Sequence, residues 1–194
     1  PEPAPAAIDL GYLLPEAAEE TGLSAGIRVN SGGLDHGMAM IGSGSIKFGD
    51  ISESTGTVIA LASLSDRIIR SSTRIPCHCG VLKDTYILLP VIESGGITLE
   101  WFYEKILGLS NMASLDNLVE HVLSHEPEII FLPYLTGVNS PKLDPEMKGV
   151  FYGLRIHHTR EDMLAAVLTG ITFLIKKNLL SLEKEGLRGQ IITS

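Results

Sequence analysis

The apolar residues of this chain change period twice along its length, and that change allows few architectures. From Lys47 to about Val91 they come in short runs bounded by turn residues: Thr57 to Leu61, Ile68 to Ser72 and Thr85 to Pro90. Such runs read as strands joined by tight turns, so an antiparallel meander is expected. Beyond it the spacing is helical. Leu99, Phe102, Tyr103, Ile106 and Leu107 recur at i, i+3, i+4, i+7 and i+8, and Leu115, Leu118, Val119, Val122 and Leu123 repeat the template behind a Ser114 N-cap. The mostly apolar run from Glu128 to Leu132 is short enough to be a buried strand. A last long helix is expected from Thr159, with Asp162 as its capping-box partner, to about Glu183. The turn Gly186-Leu187-Arg188-Gly189 then leads into Gln190-Ile191-Ile192-Thr193, a parallel-type strand. A strand meander followed by helices and such a strand implies an α/β layered domain.

The stretch before the meander differs in character. Pro1, Pro3 and Pro5 rule out regular helix or central strand at the start. PEAAEETGL over residues 15–23 reads as a short helix with proline in its first turn and Gly22 at its end. Ile27 and Val29 suggest a short strand entering Ser31-Gly32-Gly33-Leu34-Asp35, and residues 37–42 suit a helix packed closely on a neighbour.

Composition narrows the class of function. With 194 residues, 44% of them hydrophobic, the chain can bury a core. Its net charge of −8 and the absence of a basic stripe argue against a nucleic-acid partner. No uncharged apolar run approaches the roughly 20 residues that span a bilayer. No signal-peptide pattern opens the sequence, so a cytoplasmic enzyme domain is expected, with no membrane partner. The two cysteines, in Cys77-His78-Cys79, are too close for an ordinary stabilising disulfide. Reduced thiols are expected there, the alternative being a structural metal domain built around the three residues.

Three motifs carry possible chemistry. Asp35 sits among glycines where a strand gives way to a helix, a place from which a carboxylate can reach a ligand or cap the helix; the roles are compatible. The hydroxyl- and glycine-rich stretch from Ile51 to Val58 can hold phosphate oxygens or simply form a hairpin turn, and no Lys follows its glycine as in a Walker loop. Ser94-Gly95-Gly96 can bring a helix N-terminus to an anion or only start the helix. His157-His158 reads as a solvated or core-edge pair rather than a ligand site.

Taken in order, these pieces resemble the FGGY carbohydrate kinases over essentially the whole chain. PEAAEETGLSAGIRVNSGGLDH is similar to the approach to the family's catalytic aspartate, SESTGTV to its phosphate turn and SGGITLEWF to its glycine-headed helix. The stretch FLPYLTGVNSPKLDPEMKGVFYGLRIHHTREDMLAAVLTG resembles its second signature region. Thr169, Val138-Asn139 and Glu100 depart from the family's usual residues, which leaves the subgroup and the sugar open.

The resemblance implies an actin-like, ribonuclease-H-like fold, present in part. Residues 1–46 would end the first, sugar-binding domain, and residues 47–194 would form much of the second, nucleotide-binding one. It implies ATP and Mg²⁺, a small sugar or polyol substrate, Asp35 as general base and His36 beside the substrate. Gly56, Thr57, Gly96 and Glu100 would lie at the nucleotide. No protein-held metal is expected, a homo-oligomer is compatible, and the piece is expected to be inactive alone. The alternative is a non-catalytic nucleotide- or sugar-binding module derived from such a kinase.

Overall fold

Pro15 fixes φ at the first position of helix α1 (Pro15–Thr21), and Gly22, at φ 70°, closes it in the left-handed conformation that glycine adopts without strain. This is the first helix of a computed structural model that describes residues 6–72, 74–110 and 127–193. Strands β1 (Asp9–Tyr12) and β2 (Arg28–Asn30) form an antiparallel ribbon around α1. The sequence suggested β2 but not β1. The ribbon's Arg28–Asp9 ion pair, at 3.0 Å, is exposed and contributes little.

Helix α2 (Asp35–Gly42) follows, and the chain then enters a six-stranded sheet. Its strands are β3 (Ile51–Thr55), β4 (Ile59–Ser65), β5 (Cys77–Cys79), β6 (Tyr86–Leu88), β7 (Val91–Ile92) and β10 (Ile191–Thr193). The order is β10-β3-β4-β6-β5, with β7 also beside β4. β10 runs parallel to β3 and every other pair is antiparallel, but the order departs from the expected simple meander because β6 returns between β4 and β5.

Every residue of β4 is buried because both faces of the sheet are covered. On one face Ala60, Ala62 and Leu64 pack with Met40 of α2. On the other, Ile51, Leu61 and Leu88 pack with Leu182, and Ile59 and Ile92 with Leu174. Both leucines belong to the long helix α4 (Arg160–Lys184). At 25 residues, α4 is long and apolar enough to cross a membrane by length and composition, with a mean hydropathy of 1.5 over 18 residues. Its place between the sheet and a second core makes it the core helix of a folded domain.

That second core joins Phe102, Ile129, Phe131 and residues 164–167. Phe131 lies on strand β8 (Ile130–Leu132), which pairs antiparallel with β9 (Val150–Tyr152). Gly170 permits the helix to come close, since a Cβ there would sit 2.6 Å from the Phe131 carbonyl oxygen.

Several expectations change. Residues 68–72 form no strand. The Ser65 hydroxyl bonds Arg67 and the Glu185 carboxylate accepts from the Ser71 and Ser72 hydroxyls and the Ser72 N–H, so side chains satisfy this segment instead of a ladder. Ile51 to Thr55, read as part of a turn, is strand, and the turn is confined to residues 56–58. Only the middle residue of β8 is buried, because the pair is a ribbon lying over α4 rather than the fully buried strand expected. The helix expected over 99–107 starts at Gly96 as α3 (Gly96–Trp101) and continues as a π-helical turn (Phe102–Ile106). The helix expected at Leu115 to Leu123 lies outside the described residues.

Candidate functional site

The two glycine turns singled out in the sequence are one structure. Gly56 ends the β3–β4 hairpin, and Gly96 opens α3. The Gly96 N–H donates to the Gly56 carbonyl at 3.1 Å and the Ile97 N–H to the Thr57 carbonyl at 2.9 Å. A Cβ on Gly96 would lie 2.1 Å from the Gly56 oxygen, and one on Gly95 would lie 2.6 Å from Ile59 Cγ1. Only glycines allow this approach. The contact also occupies two of the N–H groups at the start of α3, so they point at carbonyls of the chain and not outward.

What the hairpin leaves outward is at Thr57. Gly56 N–H bonds the Val58 carbonyl at 2.9 Å. Among the described residues neither the Thr57 N–H nor its hydroxyl makes a hydrogen bond within the chain, and Thr57 is exposed. Two donors on one residue at a sharp turn suit an oxyanion. Glu100 is exposed one turn further along α3. Partial burial, with the Glu104 and Glu100 carboxylates, holds the nearby Tyr103 phenol above its ordinary value.

A third strand of chain braces these turns, and the sequence reading missed it. Ser94, buried just before Gly95, shares a 2.8 Å hydrogen bond between its hydroxyl and that of Thr136. The Thr98 hydroxyl donates to the Ser94 carbonyl at 3.0 Å. The only sequence signal was the small polar pair Thr136-Gly137 inside an otherwise apolar stretch. Nearby, buried Asn178 on α4 accepts from the Ser140 hydroxyl at 2.8 Å and donates to the Leu174 carbonyl at 2.9 Å, tying the 134–141 loop to the core helix.

Asp35 is placed separately. It is the first residue of α2 and not its cap: Leu34 holds the cap position and no side chain caps the helix. The reason is local, since Asp35 Oδ1 accepts the N–H of the next residue, His36, at 2.8 Å instead of reaching further along the helix. The carboxylate is exposed, at the positive end of the helix dipole, and His36 is half-buried beside it. Gly37 brings α2 onto the sheet, with its missing Cβ 2.7 Å from Val81 Cγ2 and 2.9 Å from Ile87 Cδ1. The structure therefore unites Gly56, Thr57, Gly96 and, along α3, Glu100. No hydrogen bond joins Asp35 or His36 to them.

Elsewhere, Glu128, His157 and His158 converge, with all their candidate ligand atoms within 4.8 Å. His158 Nδ1 accepts the Arg155 N–H at 2.9 Å, so the ring's proton lies on Nε2, which faces Glu128 Oε2 at 3.3 Å. A ring so arranged has no free lone pair for a cation. The trio is a polar clamp at the start of α4, where Thr159 and Asp162 form the expected capping box. Around Cys77 the alternation of β5 puts His78 on the opposite face from the two thiols, so these three residues do not converge on a metal either.

With this geometry in view, the similarities to known proteins become specific. Residues 61–193 match the FGGY family of carbohydrate kinases, C-terminal domain. The chain belongs to that family. It is 29% identical over 184 residues to a xylulose kinase of Escherichia coli, covering 94% of this chain and 38% of the relative. It is 28% identical over 173 residues to a gluconokinase of Bacillus subtilis, covering 84% of this chain and 34% of that protein. The crystal structure of a xyloylose kinase from Brucella ovis superposes with a TM-score of 0.82 at 29% identity, over 97% of this chain and 39% of the other. The fold is thus the actin-like α/β fold that the sequence implied, and the FGGY chain described here spans about two fifths of these relatives' length.

Proposed function

We propose that the complete protein carrying this FGGY chain transfers the γ-phosphoryl group of ATP to a hydroxyl of a small sugar or polyol. The observation that carries the reading is the interlocked pair of glycine turns, which presents the free donors of Thr57. Family membership and an exposed aspartate at a helix start accompany it.

In this reading Asp35 is the general base, accepting the proton of the attacking hydroxyl on the carboxylate oxygen that His36 does not occupy, and His36 lies beside the sugar. Gly56 and Thr57 meet the phosphates. Gly96 lies near the nucleotide mainly as the residue that lets the turns close. Glu100 offers only acceptor oxygens, so its part is to face the ribose hydroxyls or the adenine amino group and not a phosphate. Mg²⁺, held by the phosphates of ATP and by water rather than by this chain's side chains, would supply neutralisation of the phosphate charge.

Residues 1–46 are assigned to the first domain and 47–194 to the second, so the reaction joins both substrates across a domain boundary. Residues 1–194 alone are proposed to lack turnover, because a misplacement of about 1 Å between the reacting groups costs roughly 10²-fold.

The test is Asp35→Asn in the complete protein, assayed with ATP on a panel of ketoses, aldonates and polyols. Turnover is expected to fall by about 10²- to 10⁴-fold with an unchanged melting temperature. Near-normal turnover would remove Asp35 from the reaction. Binding of ATP with no transfer by the unaltered protein to any panel member would instead support a non-catalytic module.

A further inference from the structure

We propose that Cys77 and Cys79 form a reversible dithiol–disulfide site on the edge of the sheet. Both are free thiols on β5, the last strand in the sheet order. Cys77 pairs with Leu88 and Cys79 with Tyr86, so the two side chains project from one face, the face on which Cys77 packs beside Leu88 and Leu182. Residues two apart on a strand have Cα atoms about 6.7 Å apart. That is the upper end of the range a disulfide spans, about 4.4–6.8 Å. Their Cβ atoms, parallel on one face, stand about as far apart as the Cα atoms and beyond the roughly 3.5–4.5 Å a disulfide needs, so β5 must leave its extended conformation for the bond to close. Among the described residues β5 pairs only with β6, so this three-residue edge strand can do so by opening a single ladder.

Such a bond competes with the pairing of β5 to β6, and disulfides that strain the fold are the easily reduced ones. It acts as a switch and not as a staple, which agrees with the sequence-based view that no ordinary disulfide forms here. Burial sets the order of events. Cys79 is exposed and Cys77 is half-buried. With a peroxide as oxidant, the Cys79 sulfur attacks one peroxide oxygen, the O–O bond breaks, and the other oxygen leaves as water (as an alcohol from an organic peroxide). The Cys79 sulfenic acid that results is attacked by the Cys77 sulfur. The S–O bond breaks, a second water leaves with the Cys77 proton, and the S–S bond remains. Two thiols and one peroxide thus yield one disulfide and two waters when the oxidant is hydrogen peroxide.

Trypsin releases residues 75–83 as a peptide holding both cysteines, between Arg74 and Lys83. The complete protein, reduced and then exposed to hydrogen peroxide, is quenched with iodoacetamide in denaturant and mapped by mass spectrometry. The peptide is expected unalkylated and two hydrogens lighter than its reduced form, and dithiothreitol added before the quench is expected to return it doubly alkylated. A peptide that stays doubly alkylated, that links to another chain or another cysteine, or that gains oxygens without closing would overturn the proposal. In Cys77→Ser, dimedone is expected to trap a sulfenic acid on Cys79. A Cys79 that remains a free thiol there under the same peroxide would overturn its part as the attacking group. None of these readouts depends on the kinase reading.

Discussion

Residues 6–46 and the sheet that follows them are held together in different ways. In the first region few side chains are fully buried, and Leu10, Tyr12, Leu14, Leu23, Ile27, Leu34 and Met38 are exposed. Its order comes from local devices: a proline start, a left-handed glycine stop, a two-stranded ribbon, and one helix seated on the sheet through Gly37 and Met40. In the second region the elements interlock over long sequence distances. β4 is buried on both faces, and the two glycine turns are bonded backbone to backbone across 40 residues. A glycine in the first region is there for helix packing or a turn, whereas Gly96 is there because another backbone occupies the space. The region bearing Asp35 is thus expected to tolerate change that the joined turns at Gly56 and Gly96 do not.

Three substitutions test that contrast. The largest effect is expected from Gly96→Ala, whose Cβ would meet the Gly56 carbonyl, a backbone atom that cannot swing aside. A loss of about 3 kcal/mol is expected, at the upper end of overpacking costs. Thermal melting should register it as a fall of roughly 6–12 °C for a chain of this size. A loss below about 1 kcal/mol would show that the turns are less tightly joined than their hydrogen bonds indicate.

Thr159→Ala comes next. It removes the hydroxyl that accepts from the Asp162 N–H at 3.3 Å, and about 1 kcal/mol of stability is expected to go with it. The effect should depend on pH. The Thr159 N–H, bonded to the Asp162 carboxylate at 2.7 Å, holds that carboxyl below its ordinary value, helped by the Thr159 hydroxyl and by His158 and His157 and opposed by burial. A group so lowered contributes stability above its unfolded value of about 3.9 and loses it as pH falls through the lower folded value. Alanine keeps the Thr159 N–H and loses only the hydroxyl's part, so the gap between the unaltered protein and Thr159→Ala should narrow slightly below about pH 4 in denaturant titrations. A gap constant down to pH 2 would separate the cap from the charge.

Gly42→Ala should do the least, and in the opposite direction. Gly42 is the last residue of α2, and a Cβ there meets nothing within 4 Å. A gain of about 0.5 kcal/mol is expected from the lower entropy of the unfolded chain, read as a rise of roughly 1–2 °C in melting temperature. If Gly42→Ala destabilised as much as Gly96→Ala, the difference between the two regions would disappear.

Much of this molecule was legible in its sequence, and the legible parts share a cause. The capping box at Thr159, the stop at Gly22, the stripe of α4 and the short strand run from Thr57 to Leu61 depend on residues within a turn or two of one another, so spacing alone reveals them. The family resemblance rested on the order of such pieces. Tertiary structure decided the rest. Residues 68–72 have the composition of a strand, but Glu185, more than 110 residues away, takes their hydrogen bonds. Glu128 to Leu132 looked like an inner strand until β9 paired with it from one side and α4 took its buried face. The candidate site shows the same division. Gly56, Thr57, Gly96 and Asp35 could each be picked out by residue type, but only the folded chain spends the N–H groups of Gly96 and Ile97 on the hairpin and leaves those of Thr57 free. A local pattern specifies which backbone groups a segment possesses; which of them remain for a ligand depends on what the distant chain has already bonded.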